Sequence, residues 1–318
     1  MNYYPILKYD LGNSEKLFHA GDFSGEKILI VGGGFQQYHA IREAVALGLE
    51  VYVADQNPEC PGASLVPNFW NINCLDKDQL LENCDAHNIS FAFTMQSDLP
   101  VPSVAYINDH LRYEPLHYQA ALNCSRKDLF RECLKQSGFS QPEFLVKTDP
   151  ILSPKEEVKL RSILRMYKKF VVKPSDSSGS RGVQIHNRYD QDLLKASIQE
   201  ALHFSVSGVV VVEGFVSGLE FGAQTMSLGG KCTNVLIHSD HMDGSGRIPL
   251  THRYPHPTFT KEQLMKFEYQ VALAVDAIGI QYGPANVDCI VDANDNVHII
   301  EIGARVGSTC LPELSSIY

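Results

Sequence analysis

The sequence predicts an α/β fold in the first third, an open parallel sheet with helices between its strands. Two features predict it. Residues 27–31 (KILIV) form a continuous apolar run, as a strand buried on both faces requires. Gly32-Gly33-Gly34 then turns that run into a helical stretch, which is how a βαβ unit begins.

The elements follow in order. The helix after the triple glycine runs to about Leu47, and a short strand spans 51–54 and ends at Asp55. A helix over about 77–87 and a strand over 89–94 continue the alternation. The glycine turn partly matches a dinucleotide fingerprint, but the third glycine position is Gln37. Any tight strand-to-helix junction also uses such a turn; Asp55 either binds a ribose or simply ends its strand. Ser125-Arg126-Lys127-Asp128 places a helix N-cap at Ser125, and Gly138 stops that helix. Ser153-Pro154-Lys155-Glu156 opens another helix in the same way. The stretch 239–257 reads as one long irregular loop, and long loops in compact domains are usually functional or mobile.

Composition bounds the function. The chain has 318 residues and a net charge of −10, with room for two domains or more. That charge argues against a nucleic-acid backbone or an anionic membrane as main partner, since both want a basic face. No apolar stretch approaches the ~18 residues a membrane span needs. The N-terminus lacks the basic start and apolar run of a signal peptide. Eight scattered cysteines without a CxxC pair read as free thiols in a reducing cytoplasm. Residues 1–119 carry 6 basic and 15 acidic side chains, whereas residues 120–318 carry 21 and 22. The acidity therefore lies in the first third, and the remainder leaves room for a local basic pocket.

Four segments carry chemistry. In the first, the run 170–173 ends on Lys173 and enters Pro-Ser-Asp-Ser-Ser-Gly-Ser-Arg-Gly182. Small residues let backbone N–H groups approach an anion, and the serines, Lys173 and Arg181 add donors and charge. No GxxxxGK[ST] is present, and a flexible hairpin loop would share this composition. In the second, a buried run ends at Glu213, crosses Gly-Phe-Val-Ser-Gly and reaches Glu220. Such a crossing exposes backbone edges that can read an adenine, with Glu220 suited to ribose hydroxyls; surface strand-end charges are the plainer alternative.

The third segment is a hairpin. Residues 285–291 and 297–302 flank a turn, and a two-residue Asn294-Asp295 loop puts Asp288 opposite Glu301. Facing side chains lie ~5 Å apart at Cβ, so two bare carboxylates there repel. A hard divalent cation such as Mg²⁺ removes the conflict. The fourth segment is Arg305 together with the histidines at 238, 241, 252 and 256. Their irregular spacing argues against a dedicated zinc site; His252 or Arg253 is assigned to substrate contact instead.

Lys127, the Lys173 loop, Glu213 to Glu220, and Asp288 with Glu301-Ile-Gly-Ala-Arg305 together resemble the ATP-grasp superfamily, in the order found there. The likeness is nearest to carbamoyl-phosphate-synthetase-like carboxylate–amine (amino-acid) ligases, and it runs from about Lys27 to the end. The resemblance implies a Rossmann-like preATP-grasp domain (1–119) followed by a two-lobed α+β ATP-grasp fold (120–215 and 216–318) that clamps ATP. It implies that Lys127 and Lys173 contact ATP phosphates under a flap over 175–182 that includes Ser178, Gly179 and Ser180. Glu213, Phe215 and the backbone of Val216 would hold adenine, and Glu220 the ribose. Asp288 and Glu301 would hold Mg²⁺ or Mn²⁺, and Arg305 the substrate carboxylate or acyl phosphate. Lys173, Arg305 and His252 form the expected catalytic set.

Two departures from the family stand out. An asparagine usually follows two residues after the metal glutamate, where this chain has Gly303. The hairpin register puts Asn286 opposite Gly303, so Asn286 is expected to supply the missing oxygen to the metal. Members also usually continue well beyond residue 318, so the third segment, with a helix expected over 310–318, reads as cut short. The implied reaction activates a carboxylate as an acyl phosphate, which an amine then displaces. The implied partners are a small carboxylate and an amine, with no nucleic acid and no membrane, in a cytoplasmic protein with homodimerisation as a further expectation. The rivals are a non-catalytic nucleotide-binding relative and an NAD(P)-linked oxidoreductase.

Overall fold

Every residue of β1 (Lys27–Val31) after the lysine is buried, because helices cover both faces of the sheet it centres. The computed structural model describes residues 23–113, 115–177, 179–242 and 249–308, and its strands form three sheets in succession. In the first sheet β1 lies between β2 (Glu50–Ala54) and β4 (Phe91–Phe93), with β3 (Asn68–Trp70) at the edge, all parallel. Helices α1 (Phe35–Ala46) and α2 (Lys77–His87) make the crossovers from β1 to β2 and from β3 to β4, and α3 (Val101–His110) follows β4.

The glycine turn at the end of β1 is filled by the protein itself. Asp55 Oδ2 accepts the Gly33 N–H at 2.8 Å, and Gly33 O accepts the N–H of Gly62 at 2.7 Å. Gly62 belongs to a short 3₁₀ turn, Pro61–Leu65, packed onto α1. Gln37 is buried and donates to the Met95 carbonyl. Asp55 thus holds the turn, and the loop that a dinucleotide pyrophosphate would occupy carries chain atoms.

Helix α4 (Tyr118–Ser125) runs directly into α5 (Lys127–Gln136) through an extended Arg126. Ser125, expected as an N-cap, is instead the last residue of α4. The cap comes from far along the chain: Ser175 O accepts the Lys127 N–H at 2.8 Å. The second sheet, ordered β5-β8-β6-β7, comprises β5 (Phe144–Lys147), β6 (Phe170–Pro174), β7 (Gln184–His186) and β8 (Val210–Gly214). Its helices are α6 (Pro154–Tyr167), with the Ser153/Glu156 capping box, and α7 (Gln191–Phe204).

The third sheet is antiparallel and ordered β11-β10-β9-β12-β13. It contains β9 (Leu219–Leu228), β10 (Lys231–Met242), β11 (Pro249–Arg253), β12 (Gly283–Val291) and β13 (Val297–Gly303). Residues 239–257 are therefore not one irregular loop: β10 and β11 pair across it, with Asp240 opposite His252. Helix α8 (Lys261–Ile278) covers this sheet and buries Phe267, Val271 and Val275 against Phe221, Val287 and Ile299. Phe130 and Leu134 of α5 join that same core. Although α5 precedes the second sheet in sequence, it packs on the third. Among the described residues no helix is long and apolar enough to cross a membrane.

Phe267 is fully buried at the centre of this core. Phe267→Ala is expected to cost about 3–5 kcal/mol, read as a lower denaturation midpoint in urea with an unchanged slope.

Candidate active site

The cleft between the second and third sheets forms around one buried arginine. Arg131 of α5 is 0% exposed, and its Nε and Nη2 donate to Glu213 Oε2 and Oε1 at 2.8 and 3.0 Å. Its Nη1 donates to the Ile299 carbonyl at 2.8 Å and to Gln141 Oε1 at 3.0 Å. One side chain thereby ties the end of β8 to β13. Lys173 completes the cluster, with Nζ 2.5 Å from Glu213 Oε1. Burial pushes the Glu213 carboxyl up, but Arg131 and Lys173 outweigh it and hold it down at about 2. Lys173 shares that single carboxylate with Arg131. Burial, with Arg131 and Lys127 nearby, pushes its pKa down to about 8. A buried lysine in that state gains from an arriving anion.

Arg131 escaped sequence reading. The available signal was an arginine on the apolar stripe of α5, flanked by Phe130 and Leu134. Glu213, expected at the adenine, has both carboxylate oxygens committed to Arg131 and Lys173.

The loop after β6 is anchored at its base. Asp176 accepts from Ser205 Oγ, Val206 N and Ser207 N at 2.7, 2.9 and 2.7 Å. Ser175, fully buried, caps α5 as described. Lys127 Nζ donates to the Ser177 carbonyl at 3.3 Å and lies 3.6 Å from Glu301 Oε2, linking the loop to the β13 carboxylate. The buried Ser177 Oγ has no partner among the described residues. Ser178 lies outside the described residues.

In the β12–β13 hairpin Asp288 faces Glu301 and Asn286 faces Gly303, as expected, but by a different route. The turn is not a two-residue loop. Asp292 N donates to Asn296 O at 3.0 Å and Asp295 adopts a positive φ of 59°, giving a three-residue loop. A bulge between Asp288 and Cys289 then leaves Ile300 as the extra residue on β13. The two one-residue shifts cancel.

The facing pair carries opposite pKa shifts. Desolvation within the cleft and the Glu301 charge push Asp288 up to about 7, although its side chain still opens to solvent on one side. Burial also pushes Glu301 up, but Lys127, Lys173 and Arg305 outweigh it and hold that carboxyl below its ordinary range. Two facing carboxylates, one of them destabilised as an anion, fit a hard divalent cation bound by oxygen ligands.

Asn286 is not an available oxygen ligand. Gly307 N donates to Gln224 Oε1 at 2.9 Å, which turns Gln224 Nε2 toward Asn286 Oδ1 at 2.6 Å. Asn286 Nδ2 consequently donates to Asp288 Oδ1 at 3.2 Å. The amide orients the carboxylate. Nor is there a vacancy at Gly303: a Cβ there would lie 2.5 Å from Asp98 Oδ1 and 3.1 Å from Arg305 Cζ. Arg305 Nη2 donates to Asp98 Oδ2 at 2.7 Å. Asp98 sits past the carboxyl end of β4, the position from which parallel sheets present ligand-binding residues, and that signal was in the sequence.

These residues share one cleft of about 450 Å³. Lys127, Lys173, Gly179 and Ser180 line one part of its wall, and Glu213, Phe215, Val216 and Glu220 another. Asn286, Asp288, Glu301 and Arg305 line it from the third sheet, and Asp98 from the first. His252, expected in the catalytic set, is not among the lining residues; its Nδ1 lies 2.6 Å from Asp240 Oδ1 on the β10–β11 ladder.

Fold and site define a two-lobed clamp with a basic loop, an interlobe strand crossing and an acidic hairpin. Residues 166–313 match the ATP-grasp domain family model. It is 26% identical over 201 residues to the carbamoyl phosphate synthase large chain of Clostridium acetobutylicum, covering 60% of this chain. The chain matches only 17% of the length of that relative. Its fold resembles phosphoribosylglycinamide synthetase from Anaerococcus prevotii, with a TM-score of 0.71 and 26% identity over 92% of this chain and 71% of that one. The L-amino acid ligase from Bacillus licheniformis has a TM-score of 0.66 at 21% identity, covering 90% and 68%. N5-carboxyaminoimidazole synthetase from Staphylococcus aureus with ADP has a TM-score of 0.68 at 17%, covering 94% and 75%. These likenesses extend the match into the parallel sheet, which stands where the Rossmann-like domain was expected.

Because Asp288 titrates near 7 in the folded chain and near 3.8 when unfolded, the folded state holds a proton the unfolded state releases. Stability is therefore lost as pH rises from about 4 to about 7. Asp288→Asn removes that loss. Without divalent cations its melting temperature should exceed wild type at pH 8, with the excess shrinking toward pH 4.

Proposed function

We propose that this chain is an ATP-dependent ligase. It activates a carboxylate as an acyl phosphate and joins it to an amine, releasing ADP and phosphate. The observation that carries this reading is the convergence of Lys127, Lys173 and the facing Asp288–Glu301 pair in one cleft.

The roles follow from charge and position. Lys127 and Lys173 hold the triphosphate, and an arriving phosphate restores full charge to a lysine that burial has pushed down to about 8. Gly179 and Ser180 close over it, with Ser177 Oγ as a further donor. Phe215 and the backbone of Val216 receive the adenine, and Glu220 the ribose. Glu213 contributes by holding Lys173 and Arg131 in place. A divalent cation, Mg²⁺ or Mn²⁺, bound by Asp288 and Glu301 would neutralise charge on the triphosphate. Arg305, oriented by Asp98, binds the carboxylate that attacks the γ-phosphate. The amine then attacks the acyl carbon and phosphate leaves. Most of the rate enhancement comes from positioning and charge stabilisation, so no nucleophilic side chain is required.

The test is ADP and phosphate release with Mg²⁺ across the standard amino acids and simple hydroxy acids, with products identified by mass. At least one carboxylate–amine pair should yield an amide, and Lys173→Met or Glu301→Gln should lower kcat about 100-fold or more. A chain that binds ATP but releases no ADP with any pair would be a nucleotide-binding relative instead. NAD(P)H should show no binding in the same preparation. Asn286→Ala should raise the Mg²⁺ needed for half-maximal activity about 10- to 100-fold and keep turnover at saturating Mg²⁺. Unchanged Mg²⁺ dependence would remove its orienting role.

A further inference from the structure

One cluster outside the cleft lining remains unused by the ligase chemistry. His238 and Asp240 stand two apart on β10 and so share a face, and Asp240 pairs directly with His252 on β11. Paired strands, rather than a loop, therefore fix all three. His238 Nδ1 lies 2.8 Å and His252 Nδ1 2.6 Å from the same Asp240 Oδ1. The two rings meet edge-on, with centroids 5.3 Å apart at 86°. The three atoms all lie within 4.8 Å of one another. His238 is 2% exposed, and Asp240 keeps the cluster open on one side, its side chain 31% exposed.

We propose that His238, Asp240 and His252 form a site for a borderline divalent metal of the zinc class. Two imidazole nitrogens and one carboxylate oxygen are the donor set such an ion prefers, and three protein ligands leave a position for water or a substrate donor. Ligands around a tetrahedral zinc stand about 3.3 Å apart, so the present spacing opens by about half an ångström on binding. The all-oxygen pair at Asp288 and Glu301 suits Mg²⁺ instead, which separates the two sites chemically.

The surrounding sheet is shaped for the cluster. His238 faces Gly222, which faces Asp288, which faces Glu301, so one row crosses four strands. The His238 ring lies over Gly222, where a Cβ would overlap it, 2.7 Å from Nε2. With strands ~4.8 Å apart, the histidine site and the Asp288–Glu301 pair sit two strands from each other on one face. Nε2 of His238 is buried and has no partner among the described residues, leaving a ring nitrogen for a further ligand or water. None of this depends on the ligase reading.

The test uses the purified full chain, stripped with chelator and titrated with Zn²⁺, with Co²⁺ as a spectroscopic probe. Wild type should bind one equivalent in the presence of excess Mg²⁺, gain visible Co²⁺ d–d bands, and melt at a higher temperature with zinc. Asp240→Asn and His252→Ala should each weaken zinc binding about 100-fold or more. Asp288→Asn should retain it, as should His241→Ala, which alters an exposed residue one position from the ligand face. Far-ultraviolet circular dichroism of each apo variant identifies a folding defect. Zinc-free wild type, or zinc bound equally by all four variants, would overturn the site. Loss in Asp288→Asn with retention in Asp240→Asn would move the ion to the hairpin and overturn it as well.

Discussion

The Arg131–Glu213–Lys173 cluster is the interaction on which the rest of the cleft depends. From α5, Arg131 binds the carboxylate at one sheet's strand end and a carbonyl of another, so α5 serves as a strut between the two lobes. Burying three charges is costly unless geometry and hydrogen bonds are nearly complete. Here Glu213 receives three donors and Arg131 fills four contacts, which accounts for the strongly depressed Glu213 carboxyl. Lys173 has the weaker share of the carboxylate. Its lowered pKa leaves it ready to gain from added negative charge, and that links packing directly to anion binding.

Around that strut the chain brings distant segments to one place. Ser175 caps α5 with its carbonyl, so the helix that carries Lys127 begins where the Lys173 loop begins. The Gln224–Asn286–Asp288 chain of amides ties the segment after β13 to the acidic hairpin. Asp98 joins through Arg305, giving the parallel sheet a residue in the cleft. Each link is a hydrogen bond with a fixed donor, and together they fix which side-chain oxygens face the cleft. The row from His238 to Glu301 extends the same logic across the antiparallel sheet, placing nitrogen donors at one end and oxygen donors at the other.

Much of the fold was legible because it rests on local rules. Apolar runs announced β1, β6 and β8, and the capping box at Ser153 opened α6 where expected. The Asp288–Glu301 pairing was expected from a two-residue turn, but the turn is one residue longer, which alone would have broken the pairing. A bulge at Ile300, which no local signal announces, restored the register. The failures are of another kind. Ser125 has the chemistry of an N-cap but lies inside α4, because a tertiary partner caps α5 instead. Residues 239–257 are rich in turn formers, yet pairing of β10 with β11 overrides that preference.

The sequence by itself determined the order of elements, the glycine turn, the lysine-ended strand and the two carboxylates that share a hairpin. Periodicity, capping and short-range register act over a few residues, so they can be read along the chain. Only the tertiary structure decided which polar groups are spoken for. It committed Glu213 to Arg131, turned the Asn286 oxygen away from Asp288's side, filled the space at Gly303 with Asp98 and Arg305, and drew His238, Asp240 and His252 together. A buried polar group must find a partner wherever the fold supplies one, and that partner is set by packing across elements far apart in sequence.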